Sequence, residues 1–460
     1  MTKRIVVVGG DATGMSAAST ALRHAPDGDL EVVVLERGHY TSYSACGIPY
    51  WIAGDVGDRD ELIARSPEQH REAGIDVRMR TEATAIDVEE RTVSVRGVDD
   101  GDSYELGYDE LVIATGAVPT VPPLEGADAE GIFGVQSLEQ GEEIVKDLGA
   151  GDRRRAVVVG AGYIGVEMAE AMVSRGLETT ILDMAPEPFT QVDPDMGALI
   201  REAMEGMGIT VRTGTSVDGF DVGEDGRVRA VRAGDTVLPA DIVIMGLGVK
   251  PNVALAAEAG LTIGESGGIA TDVRMQAAPG VWAGGDCAEV RHRLSGKGVH
   301  IALGTHANKH GRIIGTNIAG GYGAFPGVIG TAISKVCSLE IARTGLGERE
   351  ASAAGFGYVT ASVESTTTAG YWPGAELMTV KLLAEQRTGR LLGAQIVGRA
   401  GSAKRIDVFA TAIWNAMTVE QMTFMDLSYA PPFSPVWDAV LVAARKAAKE
   451  VQAAVPASPV

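Results

Sequence analysis

Cysteine is scarce in this chain of 460 residues, occurring only at positions 46, 287 and 337. The three form neither a disulfide framework nor a Cys-x-x-Cys knuckle, a usage that fits a reducing cytoplasm. Long apolar runs are also missing. No stretch reaches the roughly 18 consecutive apolar residues of a membrane-spanning helix, so no membrane partner is expected. The chain enters the short strand Ile5–Val8 directly, without the apolar h-region of a secretory leader. Positive charge is in deficit, with 40 Lys and Arg against 61 Asp and Glu, a net charge of −21 and a pI near 4.8. Such a surface repels phosphate backbones and argues against a nucleic-acid partner, while leaving small anionic ligands free to bind at local donors. These absences point to a soluble cytoplasmic protein.

What the chain has in excess is glycine, 60 residues, or about 13% against a usual share of about 7%. With 19 prolines it still falls below the composition of low-complexity chains, so the glycines belong to turns and ligand loops. A hydrophobic share of 45% supplies ample core, and the length suggests roughly three domains. The run RIVVV at 4–8 meets Gly9, Gly10 and Gly14, then a helical stretch Met15–His24 and a second strand Glu31–Leu35. The same grammar returns at 156–182 as AVVV, GAGYIG, an Ala- and Met-rich helix and the strand TTILD. Two such βαβ units predict two nucleotide sites or a duplicated domain. LVIAT at 111–115, followed by a Gly- and Pro-rich loop, reads as a crossover, and DIVIMGLGVKPN from Asp241 reads as the return. Beyond about 330, alternating segments such as LMTVKLLAE predict antiparallel strands, and 403–417 a helix. The tail 451–460 reads as unstructured.

In the second unit Gly160, Gly162 and Gly165 fill the three glycine roles of a dinucleotide loop: tight turn, close approach to pyrophosphate, and helix–strand packing. The helix start supplies N–H groups for the phosphates. Asp183 ends the next strand, where an acid binds a ribose 2′-hydroxyl. No Lys or Arg follows before Arg201, which favours NADH over NADPH. In the first unit Asp11 replaces the middle glycine, an acid tolerable beside pyrophosphate if it turns away to cap the helix. Glu36 is the corresponding ribose acid. Cys46, before a Gly and a Pro in TSYSACGIPY, stands where backbone dipoles can lower a thiol pKa. A buried structural cysteine is the commoner fate, and the residues alone leave both readings open. His306 and His310 sit four apart, but without an evident third ligand no metal site is expected.

The order of motifs resembles the FAD-dependent pyridine nucleotide-disulfide oxidoreductases over residues 4 to about 445. GGDATG with LERG is similar to their FAD unit, LVIATGAVP to their crossover, GAGYIGVEMAE to their NAD unit and GVWAGGDCAE to their second FAD-binding strand. SYSACGIPY, AGYWPG, KRIDVFATAIW and DLSYAPPFSPVWD resemble the single-cysteine branch, which holds coenzyme A-disulfide reductases, NADH:polysulfide or persulfide reductases and NADH oxidases.

The resemblance implies an α/β fold of two Rossmann-like three-layer nucleotide-binding domains and a C-terminal α+β dimerisation domain. The FAD domain would span 1–118 and 250–329, the NAD domain 119–249 and the dimerisation domain 330–447, with 448–460 as a disordered tail. It implies hydride transfer from NADH to FAD and passage of electrons to Cys46, which attacks a disulfide, persulfide or polysulfide. Tyr371 and Tyr429, reaching in from the partner of a homodimer, would assist the leaving thiolate. Around Tyr371 the sequence departs from the branch's usual Tyr-Tyr-Pro, with Trp372 second.

The implied FAD contacts are Gly9, Gly10, Ala12, Gly14, Glu36, Arg37, Ala83, Thr115, Gly116 and Asp286, with Phe433 of the partner near the flavin. For NADH they are Gly160, Gly162, Tyr163, Ile164, Gly165, Glu167, Asp183 and Gly248, and for the substrate Arg23 and Ser42. Cys287 and Cys337 read as structural. Ala12 stands where peroxidases and several oxidases of the family carry an acid–base histidine, which argues against peroxide chemistry. Coenzyme A is a further candidate ligand, although Gln69 stands where its binders have Lys. The rival readings are an NADH oxidase in which Cys46 cycles through a sulfenic acid, a flavin reductase serving a redox protein, and a redox sensor without useful turnover.

Overall fold

The computed structural model describes residues 2–26 and 28–454. The chain forms two compact units, one of residues 1–120, 135–146 and 248–327, the other of 121–134, 147–247 and 328–460.

In the first unit a six-stranded sheet runs in the order Gln276–Ala278, Val281–Ala283, Glu110–Ile113, Lys3–Val8, Leu30–Glu36, Asp76–Met79. All neighbours are parallel except the first pair. Val6, Val7 and Val8 are buried, as an unbroken β-branched run must be when both faces of a parallel sheet are covered. The helices Ala12–His24 and Gly304–Ile318 pack closely through glycine. A Cβ on Gly311 would lie 2.3 Å from the Thr13 carbonyl oxygen, and one on Gly315 2.4 Å from that of Ala17. An antiparallel sheet of Thr81–Asp87, Thr92–Gly97 and Ser103–Gly107 belongs to the same unit.

The segments read as crossover and return pair with each other, Ala117–Pro119 antiparallel to Val249–Pro251. Residues 135–146, expected with the NAD domain, pack in the first unit instead. Gln136 Nε2 donates to the Ala117 carbonyl at 2.6 Å, Tyr40 and Arg59 bind Glu142, and Gly141 lies against the Trp51 ring.

The second unit holds a parallel sheet in the order Thr210–Arg212, Glu178–Leu182, Arg155–Val159, Ile242–Met245, Ile132–Gly134. Val157, Val159, Leu182 and Val243 from it close a core with Phe220 and Val231 of an antiparallel sheet formed by Gly219–Val222, Val228–Ala233 and Thr236–Pro239. The C-terminal part is a five-stranded antiparallel sheet, ordered Ala332–Val336, Leu339–Gly345, Leu391–Gly398, Leu377–Glu385, Tyr358–Thr366. Every residue of Leu391–Gly398 is buried. The helix expected over 403–417 is a 3₁₀ turn at Ala403–Arg405 followed by an α-helix at Ile406–Trp414. The last helix, Ala439–Ala454, runs into the segment expected to be disordered. It is held by buried Ala443, Ala444 and Ala447, and the remaining tail lies outside the described residues.

Candidate active site

Both glycine loops follow the same steric logic. Gly9 has φ +106°, and a Cβ there would meet the Ala114 carbonyl oxygen at 2.2 Å. Gly160 has φ +98°, and its Cβ would meet that of Gly246 at 2.5 Å. Added Cβ atoms on Gly14 and Gly165 would fall 1.9 and 1.8 Å from the carbonyl oxygens of Gly9 and Gly160, so only glycine lets helix and strand come this close. Neither helix, Ala12–His24 or Tyr163–Ser174, has a side chain capping its start, which leaves the N-terminal dipole to a phosphate.

The ribose acids are held alike. Glu36 accepts from the N–H groups of Gly10 at 2.7 Å and Gly38 at 2.6 Å. Asp183 accepts from those of Ala161 at 2.6 Å and Ala185 at 2.8 Å. Each carboxylate thus stands over its own loop, tied to two backbone N–H groups. The residues fit two dinucleotides, FAD on the first loop and NADH on the second.

Asp11 is where the two loops part. Its side chain makes no capping bond, and its Oδ1 is buried without a partner. Burial, then the charges of Glu36 and Asp286, push its carboxyl up to about 7, against the backbone N–H groups of Tyr43 and Ala12. The carboxyl lies between the Ala12 N–H at the helix start and the Tyr43 N–H of the cysteine segment. Asp286 lies in the 3₁₀ turn Gly285–Cys287, its carboxyl also raised by burial and opposed by His300. That turn is fixed by His310, whose Nδ1 accepts from the Gly285 N–H at 3.1 Å. Burial drives the His310 pKa down to about 3, so the ring is neutral at working pH. Thr115 and Gly116 are tied to Asn252, the Thr115 hydroxyl donating to its carbonyl at 2.7 Å. Ala83 is buried at a bulge in its strand, whereas Arg37 and Arg23 are exposed.

Cys46 is exposed on the 3₁₀ turn Ala45–Gly47, which leads into the helix Ile48–Ala53. The segment before it is pinned from several sides. Thr41 Oγ1 donates to the Gly10 carbonyl, the Ser44 N–H to that of Leu62 at 2.8 Å, and the Ala64 N–H to that of Ser42 at 2.8 Å. Ser42 takes a left-handed φ of +52°, and its hydroxyl lies 2.9 Å from His70 Nε2. Gln69 is occupied in a reciprocal capping pair with Ser66. Cys287 is fully buried, its thiol raised by that burial, and Cys337 occupies the turn between Ala332–Val336 and Leu339–Gly345.

In the second unit Tyr163 and Ile164 open the loop helix, and burial pushes the Tyr163 phenol up to about 12, its ring edge-on to Phe189. Glu167, one turn on, accepts from the Ser334 hydroxyl at 2.9 Å. Burial pushes its carboxyl up to about 7, the Ser334 bond opposing. Lys335 pairs with the buried Glu170 on the same helix. The structure brings Tyr371 and Tyr429 together. The Tyr429 phenol is raised by desolvation and then by the charge and hydrogen bond of Tyr371. Both face solvent with Phe433, at 76, 49 and 76% exposure for Tyr371, Tyr429 and Phe433. Their segment is anchored by Arg405, which pairs with Asp438 at 2.9 Å and donates to the Phe433 carbonyl.

Gly248, expected at the nicotinamide, has φ +79° with open space around its Cα and groups with the first unit. Among the described residues, the grouping of acids close enough to chelate a cation is Asp193, Asp195 and Glu348. It already holds the Lys381 ammonium, at 3.1, 2.6 and 2.6 Å from them. Sequence reading missed His70, Ser334 and Lys381, whose partners are distant along the chain and leave no local pattern.

Comparison with known proteins gives the family and the overall fold. Residues 3–311 match the model of the pyridine nucleotide-disulphide oxidoreductase family, and 331–440 that of its dimerisation domain. An NADH oxidase of Methanocaldococcus jannaschii is 36% identical over 97% of this chain and 99% of that protein. A coenzyme A-dependent NAD(P)H sulfur oxidoreductase of Pyrococcus furiosus is 38% identical over 96% of this chain and 98% of that one. The solved NAD-dependent persulfide reductase of A. fulgidus superposes with a TM-score of 0.94 at 40% identity, covering 98% of this chain and 84% of that one.

Proposed function

Since the chain belongs to the pyridine nucleotide-disulphide oxidoreductase family, an FAD- and NAD(P)H-dependent oxidoreductase with a dimerisation domain, we propose that it reduces a disulfide, persulfide or polysulfide, with a coenzyme A derivative as favoured substrate. The observation that carries this reading is Cys46, exposed at a pinned turn next to the first glycine loop and with no second cysteine in its segment. A lone accessible thiol cannot close a local disulfide, so it exchanges with an external sulfur or passes through a sulfenic acid, and the first is the reading favoured here. Bound FAD supplies the carrier for the two electrons that NADH delivers. Cys46 as thiolate attacks one substrate sulfur, the S–S bond breaks to release the other sulfur as thiolate, and the mixed disulfide left on Cys46 is cleaved by the two electrons and proton that NADH supplies, which frees the second thiol and restores Cys46. The paired phenols Tyr371 and Tyr429 are suited to donate to that thiolate, and their exposure supports a role across a homodimer interface. Glu36 and Asp183 orient the two riboses. Asp183, with its carboxylate held over the loop, disfavours a 2′-phosphate and supports NADH.

Anaerobic NADH oxidation with coenzyme A disulfide, coenzyme A persulfide and polysulfide, comparing the protein with Cys46→Ser, tests this. One acceptor should turn over while the Ser variant falls by roughly a thousandfold or more, as expected when a nucleophile is removed. Equal rates for both proteins would exclude the thiol route. The kinship with NADH oxidases makes oxygen the acceptor to try next, where Cys46 would cycle through sulfenic acid.

A further inference from the structure

His70 lies in the helix Pro67–Glu72 and is 2% exposed. Its Nε2 sits 2.9 Å from the Ser42 hydroxyl, while its Nδ1 is buried without a partner. Burial, and then the charge of Arg65, lower its pKa, so the ring is neutral and carries one proton. A buried N–H without an acceptor costs more than a buried lone pair without a donor. The proton therefore sits on Nε2 and is donated to Ser42 Oγ, leaving Nδ1 bare. Ser42 already receives, so its own hydroxyl hydrogen is free. The residue holds a strained φ of +52° four positions before Cys46, in a segment fixed by the Ala64 and Ser44 backbone bonds. A serine held in that conformation with its hydrogen released is a prepared donor.

We propose that His70 is a positioning residue which, through Ser42, directs a hydrogen bond at a sulfur anion in the active site. This deepens the proposed function and rests on its assignment of Cys46. The anion is either the Cys46 thiolate or the thiolate leaving the substrate.

The FAD-loaded dimer and its Ser42→Ala, His70→Phe, His70→Asn and His70→Gln variants separate the possibilities. One arm measures the pH dependence of Cys46 alkylation by iodoacetamide, read by peptide mass, which needs no acceptor and so survives an error about the substrate class. The other measures kcat and KM with coenzyme A disulfide. If the bond meets Cys46, Ser42→Ala and His70→Phe both raise the alkylation pKa by about one unit. If it meets the leaving sulfur, kcat falls about tenfold with KM and alkylation unchanged. In either case His70→Gln, whose amide reaches the Nε2 position, recovers to within about twofold, while His70→Asn, whose amide stops short, behaves as His70→Phe does. If His70→Phe does not fold, the Asn and Gln pair decides alone. Wild-type behaviour of His70→Asn in both arms, or failure of Gln to rescue, overturns the proposal.

Discussion

The two glycine loops are nearly copies. Each has a first glycine at positive φ under the carbonyl of a neighbouring strand end, a last glycine against the first, and an acid bridging two backbone N–H groups. They differ at the middle position, Asp11 against Gly162, and in what each is tied to. The first loop is fastened to the cysteine segment, through Thr41 to the Gly10 carbonyl and through the Tyr43 N–H to Asp11. The second is fastened to the C-terminal sheet, through Glu167 to Ser334 and, beyond its neighbouring strand, through Asp193 and Asp195 to Lys381. One steric scaffold is built twice. The side chains around it tie one copy to the cysteine segment and the other to the C-terminal sheet.

The largest effect should come from breaking the second tie. Lys381 is 3% exposed among three carboxylates, so Lys381→Met leaves the buried Asp193 without its counter-charge, held by the Gln395 amide and the Glu348 N–H. Denaturant unfolding should show a loss of about 3 kcal/mol, with the first loop's FAD retained. Next, Gly14→Ala and Gly165→Ala put the same steric insult into each copy. FAD content should collapse in the first, and NADH affinity should drop roughly ten- to a hundredfold in the second, each leaving the other nucleotide bound. Loss of both nucleotides in either variant would mean the loops are not independent.

Asp11 sharpens the difference through pH. Its folded pKa, about 7, lies above the ordinary carboxylate value, so the folded protein binds a proton the unfolded chain has released. Its contribution is fully present below about pH 4 and declines as pH rises to about 7, at up to about 1.4 kcal/mol per unit. Asp11→Asn should flatten that part of the stability–pH curve. A substitution of Gly162 has no such term. The smallest effect belongs to Ser334→Ala. The lost bond, worth about 1 kcal/mol, lets Glu167 rise further above 7, and the pH profile of KM for NADH should move upward by less than a unit.

Much of this site is written locally. A glycine that no Cβ could replace, a β-branched run and an acid at a strand end are each requirements of adjacent residues, so both βαβ units, the crossover pair and the thiol turn were legible at positions 9–14, 160–165, 36, 183 and 46. Two things the sequence did not show were of one kind. The sequence leaves open how Asp11 is tolerated, and only the fold shows it beside Glu36, Asp286 and the Tyr43 N–H. Residues 135–146 read as part of the second domain, yet Gln136 and Glu142 find their partners in the first unit.

The sequence by itself therefore determined where nucleotides and a thiol can sit, because backbone sterics and strand periodicity act between near neighbours. Tertiary structure alone decided which charges those groups feel and which hydroxyls face them. Ser42 and His70 are 28 residues apart and Glu167 and Ser334 167 apart, and the energy of burial and of a hydrogen bond depends on distance in space, not along the chain.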